Sequence, residues 1–170
     1  AKDYVHYRKC DGDREYKYRV PITSAINYKP KELPIHPYIL GIWLGDGCSS
    51  DGYVTSHIND YEELCIHIKD TGYQVTTIVN KKVRIADKNG KPLLTILKEA
   101  NLFKNKHIPK EYMLSSIEQR FELLKGLMDT DGSCDKLGRC EFSQKSESFI
   151  RDFQTILDSL GIKNTISYRE

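Results

Sequence analysis

The stretch "ILGIWLGDG" at residues 39–47 has the apolar content of a buried helix, yet it ends in an aspartate between two glycines. Pro37 suits the first turn of a helix, so we predict a helix from Tyr38 to Gly45. The C-terminal end of a helix carries partial negative charge, which makes a carboxylate such as Asp46 unfavourable there. An acid at the end of a buried helix therefore needs an explanation.

A second stretch, "LKGLMDTDG" at residues 124–132, repeats this arrangement later in the chain. The two aspartates, Asp46 and Asp131, are 85 residues apart. Each stretch is followed by polar turn residues and a strand pattern, then by an amphipathic helix that ends at Gly72 or Gly161, then by another strand pattern. This internal duplication predicts a pseudo-two-fold architecture.

Small residues lie four positions apart in both stretches, as Gly41 and Gly45 in the first and Gly126 and Thr130 in the second. Positions four apart share one face of a helix. Small side chains on that face let two helix backbones approach closely. We therefore predict that the two helices pack on each other, with their terminal aspartates side by side.

Two neighbouring carboxylates repel each other unless a cation lies between them. Hard oxygen ligands at a polar surface favour Mg²⁺, for which Mn²⁺ is expected to substitute. A metal held by carboxylates activates water and stabilises charge developing on a phosphate. Gly-Asp-Gly and Asp-Gly are also ordinary turn sequences, and for either site alone that explanation is favoured. A matched pair on duplicated helices favours the metal site.

The composition is that of a globular protein of one domain or two small ones, since 39% of the 170 residues are hydrophobic and 29% are charged. No apolar run is long enough to span a membrane and no signal peptide is recognisable, so we expect an intracellular protein, in cytoplasm, nucleus or nucleoid, without a membrane partner. The five cysteines form no CxxC pair. We therefore expect free thiols rather than disulfides or a zinc site.

Positive charge is concentrated in residues 80–110, which hold nine basic and two acidic residues although the whole chain has a net charge of only +2. Such asymmetry is typical of a surface that faces a polyanion. A solvated face with scattered lysines has the same composition, and charge alone favours that simpler explanation.

The remaining elements follow from periodicity and capping residues. We predict strands at 15–23, 73–79, 81–91, 134–144 and 162–170, and helices at 60–72, 92–103, 115–132 and 146–161. Ser115 or Ser116 suits the start of the helix at 115–132, and Glu118 is placed for a capping box with Ser115. In the strand at 81–91, alternation places Lys82, Arg84 and Lys88 on one face, opposite Val83 and Ile85.

These motifs resemble the LAGLIDADG family of homing endonucleases. "LKGLMDTDG" is similar to the family signature, and "ILGIWLGDG" resembles the divergent first copy of members embedded in inteins. "KELPIHPYILGIWLGDG" and "KNKHIPKEY" resemble the connectors that flank the motifs in inteins. The resemblance covers about residues 31–170.

The resemblance implies an α+β fold of two pseudo-symmetric αββαββα units, whose curved antiparallel sheets form a saddle over double-stranded DNA. The units would be residues 34–109 and 110–170. Residues 1–33 would be an N-terminal extension, which is the edge of a splicing domain, a linker or a DNA-contacting segment. Only nine residues follow Gly161, so we expect the second unit to be truncated and completed by another chain or the rest of an intein. Without the terminal residues of an intein, the chain is not expected to splice alone.

The resemblance also implies catalytic and metal-binding roles for Asp46 and Asp131, the penultimate acids of the two motifs. Gly45 and Thr130, which precede them, would offer backbone carbonyls to the metal.

Two lysines are further candidates for the active site. Lys106 matches the lysine of the K-x-I-P block of inteins, and Lys88 is a looser candidate for a second active-site lysine. A role as a surface cation stays open for both.

The implied DNA contacts come from the strand at 81–91 and from the first strand of each unit. Ordinary exposed sheet surface explains each of these residues equally well. They are Lys82, Arg84, Lys88, Tyr53, Thr55, His57, Arg139 and Glu141.

The function implied is a site-specific, Mg²⁺-dependent endonuclease for double-stranded DNA. Two alternatives stay open, a DNA- or RNA-binding module of the same fold without catalysis, such as a maturase or regulator, and an inert structural insert of a protein-splicing intein. Retention of both aspartates favours the enzyme.

Overall fold

The computed structural model describes residues 5–7, 14–16, 21 and 23–168. Its helices are α1 (Pro37–Asp46), α2 (Tyr61–Asp70), α3 (Leu93–Glu99), α4 (Lys110–Met113), α5 (Ile117–Asp131) and α6 (Glu147–Ser159), with a 3₁₀ turn at Ile58–Asp60. Its strands are β1 (Val5–Tyr7), β2 (Arg14–Tyr16), β3 (Val54–Thr55), β4 (Gln74–Val79), β5 (Lys82–Ala86), β6 (Gly132–Cys134) and β7 (Cys140–Phe142).

The described strands form small antiparallel sheets. β1 pairs with β2, β6 pairs with β7, and β5 lies between β3 and β4 in the third sheet. In that sheet Val54 and Ile78 both pair with Val83, whereas Thr77 pairs with Arg84. Helices combined with small antiparallel sheets give an α+β fold, as predicted. The pseudo-symmetry of two units stays a prediction.

Helix α1 lies at the centre of the core, because it is apolar around its whole circumference. Every residue from Pro37 to Leu44 is buried, and α5 packs along it. Sheet, helix and connector residues complete the core, among them Val83, Leu97, Leu102, Tyr112, Leu127 and Ile156. None of the helices in the described part of the chain combines the length and apolarity needed to cross a membrane.

The N-cap of α5 is Ser116, one residue after the Ser115 that begins the predicted capping box. Ser116 is the N-cap, where its Oγ accepts from the Gln119 amide at 3.3 Å and its own amide donates to Gln119 Oε1 at 3.1 Å. The predicted box of Ser115 with Glu118 is therefore wrong. The Ser115 hydroxyl is buried and donates to the Tyr112 carbonyl at 2.7 Å, so it is not available to the helix end.

Arg120 on α5 is fully buried, which the sequence does not indicate. Its guanidinium donates to the Ser115 carbonyl at 3.0 Å and the Ser159 carbonyl at 2.8 Å, and also to the Ile26 carbonyl. It lies 5.0 Å from the centroid of the Tyr28 ring. Backbone acceptors thus satisfy a buried cation and tie the connector before α1 to α5 and α6.

Several predicted strand regions differ from the structure. The single strand predicted at 134–144 is wrong, because this region contains the last residue of β6, a turn and β7. Between α1 and α2 the only described strand is the two-residue β3, whereas the αββαββα pattern predicts two strands there. The described residues 162–168 form no strand. Asn164 is hydrogen-bonded to Gln154 and Asp158 of α6, and Tyr168 to Glu147 of the same helix, so side chains hold this segment against α6. The predicted strand at 15–23 begins within β2, and residues 17–20 and 22 lie outside the described part.

The expectation of free thiols is wrong for one pair, because Cys134 and Cys140 form a disulfide. They are register partners in the β6–β7 hairpin, with Cα atoms 4.1 Å apart. Spacing alone did not indicate this pairing, since it depends on the position of the turn between the strands. Cys48 and Cys65 are free, and Cys10 lies outside the described residues.

Candidate active site

The glycines of α1 and α5 bring the two helix backbones into contact. A Cβ atom placed on Gly41 would lie 2.6 Å from the Leu123 carbonyl oxygen, and one placed on Gly126 would lie 2.4 Å from the Tyr38 carbonyl oxygen. Both distances are below any real carbon contact, and both obstacles are backbone atoms. Only glycine permits this approach, so the close crossing follows directly from these two residues.

The same contact continues to the C-terminal ends of both helices. A Cβ atom on Gly45 would lie 2.0 Å from Thr130 Oγ1 and 3.4 Å from Asp131 Oδ2. The Thr130 hydroxyl bonds back to its own helix, to the carbonyls of Gly126 and Leu127 at 3.1 and 3.0 Å. The Asp131 carboxylate therefore lies against the end of α1, beside the residue that precedes Asp46.

A glycine follows each aspartate because the chain turns back sharply on its own helix. Gly47 N donates to the Trp43 carbonyl at 3.0 Å, and Gly132 is held on the Met128 carbonyl in the same way. A Cβ atom would lie 2.2 Å from the Trp43 oxygen at Gly47 and 2.4 Å from the Met128 oxygen at Gly132. Lack of space, rather than a left-handed backbone, therefore requires glycine at both positions.

Lys106 reaches the end of α1 from the loop after α3. Its Nζ donates to the carbonyls of Leu44 and Gly45 at 3.0 and 3.1 Å, and it lies 5.2 Å from the centroid of the Trp43 ring. The last carbonyls of a helix have no partner within the helix, and a cation there also opposes the helix dipole. Lys106 thus holds the end of α1 at the same place as the two aspartates.

Burial and neighbouring charges shift the pKa values of Asp46, Asp131 and Lys106. Lost hydration raises the pKa of Asp46, the Asp131 carboxylate raises it further, and Lys106 opposes the shift. Lost hydration likewise raises the pKa of Asp131 against the effect of Lys106. The pKa of Lys106 is lowered by lost hydration, which both aspartates oppose. The three groups form one electrostatic unit.

Gln144 is a residue of this site that sequence reasoning missed. Its Nε2 donates to Asp131 Oδ2 at 3.0 Å, and the preceding Ser143 amide donates to the Asp131 carbonyl at 3.3 Å. Gln144 lies after β7, where the sequence shows only a polar residue at the end of a strand pattern. No signal in the sequence distinguishes it, because the contact depends on the return of the hairpin to α5.

This geometry coincides with a family match in the second half of the chain. Residues 118–170 match the family model of the LAGLIDADG-like domain. The match includes most of α5 with Asp131, the β6–β7 hairpin and α6. It supports the LAGLIDADG family for this chain.

A curated relative extends the similarity over most of the chain. The protein described as replicative DNA helicase DnaB of Mycobacterium intracellulare is 31% identical over 151 residues, which are 89% of this chain. The aligned region makes up 23% of that relative, so the chain spans about a quarter of its length.

The donor set at the C-terminal ends of α1 and α5 fits Mg²⁺. Mg²⁺ keeps several water ligands and is commonly held by one or two carboxylates, which Asp46 and Asp131 provide. The Gly45 carbonyl already accepts from Lys106, although a carbonyl oxygen has a second lone pair. Among the described residues, no three or more His, Cys, Asp or Glu side chains form a cluster that would enclose a metal ion. The site thus suits a hydrated metal ion rather than an all-protein cage.

Two of the predicted DNA contacts lie together on the exposed face of β5. Lys82 and Arg84 pair across the sheet with Val79 and Thr77, and these side chains line a surface groove of about 220 Å³. Arg84 Nη2 lies 3.0 Å from Asp51 Oδ2. Lys82 Nζ lies 4.4 Å from the centroid of the Tyr53 ring. Tyr53 is itself one of the predicted DNA contacts.

The other candidates from the first half lie nearby but not on the same strand. Thr55 is exposed in β3 opposite Lys82, and His57 follows β3, where its ring accepts from the Asn59 amide at 3.4 Å. The placement of Lys88 on the face of the strand is wrong. β5 ends at Ala86, and Lys88 lies in the turn that follows.

Arg139 and Glu141 belong to the β6–β7 hairpin. Arg139 is the last residue of the turn, directly before β7, and Glu141 lies in β7. Neither residue is on β6, the first strand of this hairpin. The predicted DNA contacts therefore divide into a group on the β3–β5–β4 sheet and a group on the hairpin after Asp131.

Proposed function

We propose that this chain is a site-specific endonuclease for double-stranded DNA that hydrolyses phosphodiester bonds with Mg²⁺ held by Asp46 and Asp131. The observation that carries the proposal is the close crossing of α1 and α5. It brings Asp131 against the end of α1, where the Lys106 ammonium group donates hydrogen bonds to the Leu44 and Gly45 carbonyls.

The roles of the residues follow from their contacts. A bound Mg²⁺ would supply an activated water and would stabilise negative charge on the phosphate. Asp46 and Asp131 would hold the metal, and Gln144 would orient the Asp131 carboxylate through its hydrogen bond. Lys106 would attract the phosphate to the site and favour the ionised form of both aspartates.

The exposed groove on the β3–β5–β4 sheet is the proposed main DNA surface. Basic side chains along a sheet can neutralise phosphates, and a β-ribbon fits the major groove. Arg84 would exchange Asp51 for a phosphate, which costs little because exposed ion pairs contribute about 0–1 kcal/mol. The excess of basic residues between positions 80 and 110 agrees with this surface.

The similarity to a segment of a protein described as a DNA helicase suggests where the target lies. These 170 residues contain no G-x-x-x-x-G-K-[ST] phosphate-binding motif, so nothing in them supports a helicase function. A LAGLIDADG-like domain within such a protein is the arrangement expected of an intein insert. The target would then be the coding sequence from which the insert is missing.

A cleavage assay tests this function directly. The substrate is a plasmid in which the coding sequences that flank this segment are joined, and the control plasmid keeps the segment in place. We expect linear or nicked product from the joined plasmid with Mg²⁺ or Mn²⁺ and none with EDTA. Equal cutting of both plasmids would contradict site specificity.

A binding module without catalysis is the second candidate. One observation favours it. The charge of Lys106 already opposes that of the two carboxylates, and its ammonium group donates hydrogen bonds to the last carbonyls of α1. This candidate would be supported if the protein slowed the migration of the joined duplex in a gel but did not cleave it in Mg²⁺ or Mn²⁺. Absence of both binding and cleavage would support an inert insert.

Lys82→Gln and Arg84→Gln are each expected to weaken DNA binding at low salt. Each change removes one phosphate contact, so the slope of log Kd against log salt concentration should fall by about one. Fluorescence anisotropy with a labelled duplex in EDTA measures both effects. Lys69→Gln on α2 is the matched control, because Lys69 is exposed and does not line the sheet groove. An equal loss in the control would show that only net charge matters.

Lys106→Gln is expected to lower the cleavage rate by roughly 10²-fold and to move the acidic limb of its pH profile to higher pH. The shift follows because Lys106 opposes the raised pKa of both aspartates. Lys104→Gln changes an exposed lysine two residues away and should leave the profile in place. A lower rate without a shifted limb would mean that Lys106 acts only by holding the end of α1.

A further inference from the structure

The β6–β7 hairpin, residues 132–142, begins and ends at the candidate active site. β6 starts directly after Asp131. After β7 the chain returns to the same residue, since Ser143 donates to the Asp131 carbonyl at 3.3 Å and Gln144 to its carboxylate at 3.0 Å. The conformation of the hairpin is therefore coupled to the position of a proposed metal ligand.

The outer part of this hairpin has little packing. Its strands pair over three residues each, and every residue from Ser133 to Glu141 is exposed. The inner end is anchored, because the Phe142 ring stacks 4.1 Å from Phe153. A two-stranded hairpin of this length is at best marginally stable in water. Something other than core packing must order its outer end.

Two features close that outer end. The Asp135 carboxylate accepts from the amides of Leu137 and Arg139, both at 2.9 Å. Next to this turn, the disulfide joins the register partners Cys134 and Cys140. The turn and the disulfide together form a small closed ring at the tip.

A turn of the same type, without cysteines beside it, occurs earlier in the chain. At residues 87–91, the Asp87 carboxylate accepts from the amides of Asn89 and Lys91 at 2.9 and 2.8 Å. The glycine before the last residue has a φ of +81° there and +80° in the hairpin. The two turns share the sequence pattern D-K-x-G-[KR].

The surroundings of the two turns differ. The turn at 87–91 directly follows Ala86, which is 2% exposed, and Leu93, one residue beyond the exposed Pro92, is 1% exposed, so core residues hold the turn on both sides. The hairpin turn is flanked by exposed residues, and the cysteines stand directly before and after it. The covalent bond thus takes the place that buried side chains have in the first turn.

The tip of the hairpin presents groups that suit duplex DNA. Lys136 and Arg139 can neutralise phosphates, and Leu137 between them is 91% exposed. A β-hairpin fits the major groove, where an apolar side chain contacts the methyl group of thymine.

We propose that hairpin 132–142 is a DNA-contacting arm whose affinity for duplex DNA depends on the Cys134–Cys140 disulfide. The inference rests on the proposed DNA function, which supplies the ligand. With the bond formed, the tip is ordered before DNA binds, so binding does not carry the cost of ordering it. With the bond broken, that cost falls on binding, and Gln144 loses a rigid connection on one side of Asp131.

The redox step is ordinary thiol–disulfide exchange with a small disulfide such as oxidised glutathione. One cysteine thiolate attacks the glutathione disulfide and releases one glutathione thiol. The second cysteine attacks the resulting mixed disulfide, forms the Cys134–Cys140 bond and releases the second. Two protein thiols are oxidised, one glutathione disulfide is reduced, and the two protons end on the two glutathione thiols.

The test compares the oxidised and reduced protein. Protein equilibrated with oxidised glutathione, or with dithiothreitol, is titrated into a labelled mixed-sequence duplex in EDTA and followed by fluorescence anisotropy. We expect the reduced form to bind about five- to tenfold more weakly. Amide hydrogen exchange across residues 132–142 should be slower in the oxidised form, a readout that needs no DNA.

Two variants assign the effect. Cys134→Ser/Cys140→Ser should bind as the reduced protein does under both conditions, whereas Cys65→Ser on α2 should keep the full redox response. Equal affinity of the oxidised and reduced wild type overturns the proposal, as does a redox response that persists in the double variant.

The two proposals fail in different ways. DNA binding that is insensitive to redox state removes the inference and leaves the endonuclease proposal standing. Absence of DNA binding in both states removes both. Unchanged hydrogen exchange in the hairpin removes the inference whatever the DNA result.

Discussion

Replacing Asp131 with asparagine is expected to slow DNA cleavage strongly and to raise the thermal stability of the metal-free protein. Loss of one metal-binding carboxylate should cost several kcal/mol of transition-state stabilisation, a rate reduction of roughly 10²–10³-fold. The stability gain follows from linkage. Asp131 has a raised pKa, so the folded state binds protons more tightly than the unfolded chain. The free energy of unfolding therefore falls as the pH rises from the pKa of Asp131 in the unfolded chain to its pKa in the folded protein. Asparagine does not titrate, so the variant avoids this loss of stability.

Asp46→Asn should give the same pair of effects, because the pKa of Asp46 is raised as well. Plasmid cleavage and thermal unfolding at neutral pH, each with and without Mg²⁺, measure them. Mg²⁺ should raise the unfolding temperature of the wild type but not of either variant, since only a bound ligand stabilises the folded state. Asp70→Asn is the control, because it removes an exposed carboxylate from the end of another helix, α2. It should change neither DNA cleavage nor the effect of Mg²⁺ on the unfolding temperature. Cleavage by the double variant would refute the assigned metal ligands.

The same raised pKa values set the pH dependence of the wild type. Mg²⁺ requires ionised carboxylates, so its affinity should fall on acidification at a higher pH than for ordinary aspartates. Titration of Mg²⁺ against unfolding temperature at several pH values would show this. An affinity that is constant down to the ordinary pKa range of aspartate would contradict it.

Replacing Gly126 with alanine is expected to destabilise the protein by about 3 kcal/mol. Alanine in the interior of an exposed helix would be favoured over glycine by about 1 kcal/mol, so helix propensity predicts the opposite sign. At this position the new Cβ would lie 2.4 Å from the Tyr38 carbonyl and 2.9 Å from the Ile42 amide nitrogen. Both obstacles are backbone atoms of α1, so the helices must separate, and overpacking of this kind is costly.

Urea unfolding of Gly126→Ala measures the loss, and Lys125→Ala on the exposed side of α5 is the matched control. The control should stay within about 0.5 kcal/mol of the wild type. The separated helices should also misplace the aspartates, so Gly126→Ala should cleave DNA more slowly even at a temperature where it is fully folded. A variant as stable as the wild type would mean that the two helices are not in backbone contact.

Much of the candidate site could be predicted from the sequence, because its parts are local patterns. The helix at 38–45, the small residues four apart and the aspartates at both helix ends were visible as periodicity. Lys106 was found through the resemblance of its loop to a family motif. Gln144 and the Cys134–Cys140 bond were missed, because both contacts depend on how the hairpin returns towards α5.

The errors have a similar origin. Lys88 was assigned to a strand face by alternation, but the Asp87 carboxylate begins a turn that ends the strand. The capping box was placed one residue early because Ser115 and Ser116 are chemically equal, and burial of the Ser115 hydroxyl decides between them. Residues 162–168 have strand-forming composition, yet side chains bind them to α6.

By itself the sequence determined the two glycine-faced helices and the acids at their ends, because helix periodicity, residue size and turn chemistry act over a few neighbouring residues. Only the tertiary structure decided what completes the site, since Lys106, Gln144 and the disulfide-closed hairpin meet the helices through contacts between distant parts of the chain. Such contacts depend on the paths of loops and on side-chain packing, which no local pattern specifies.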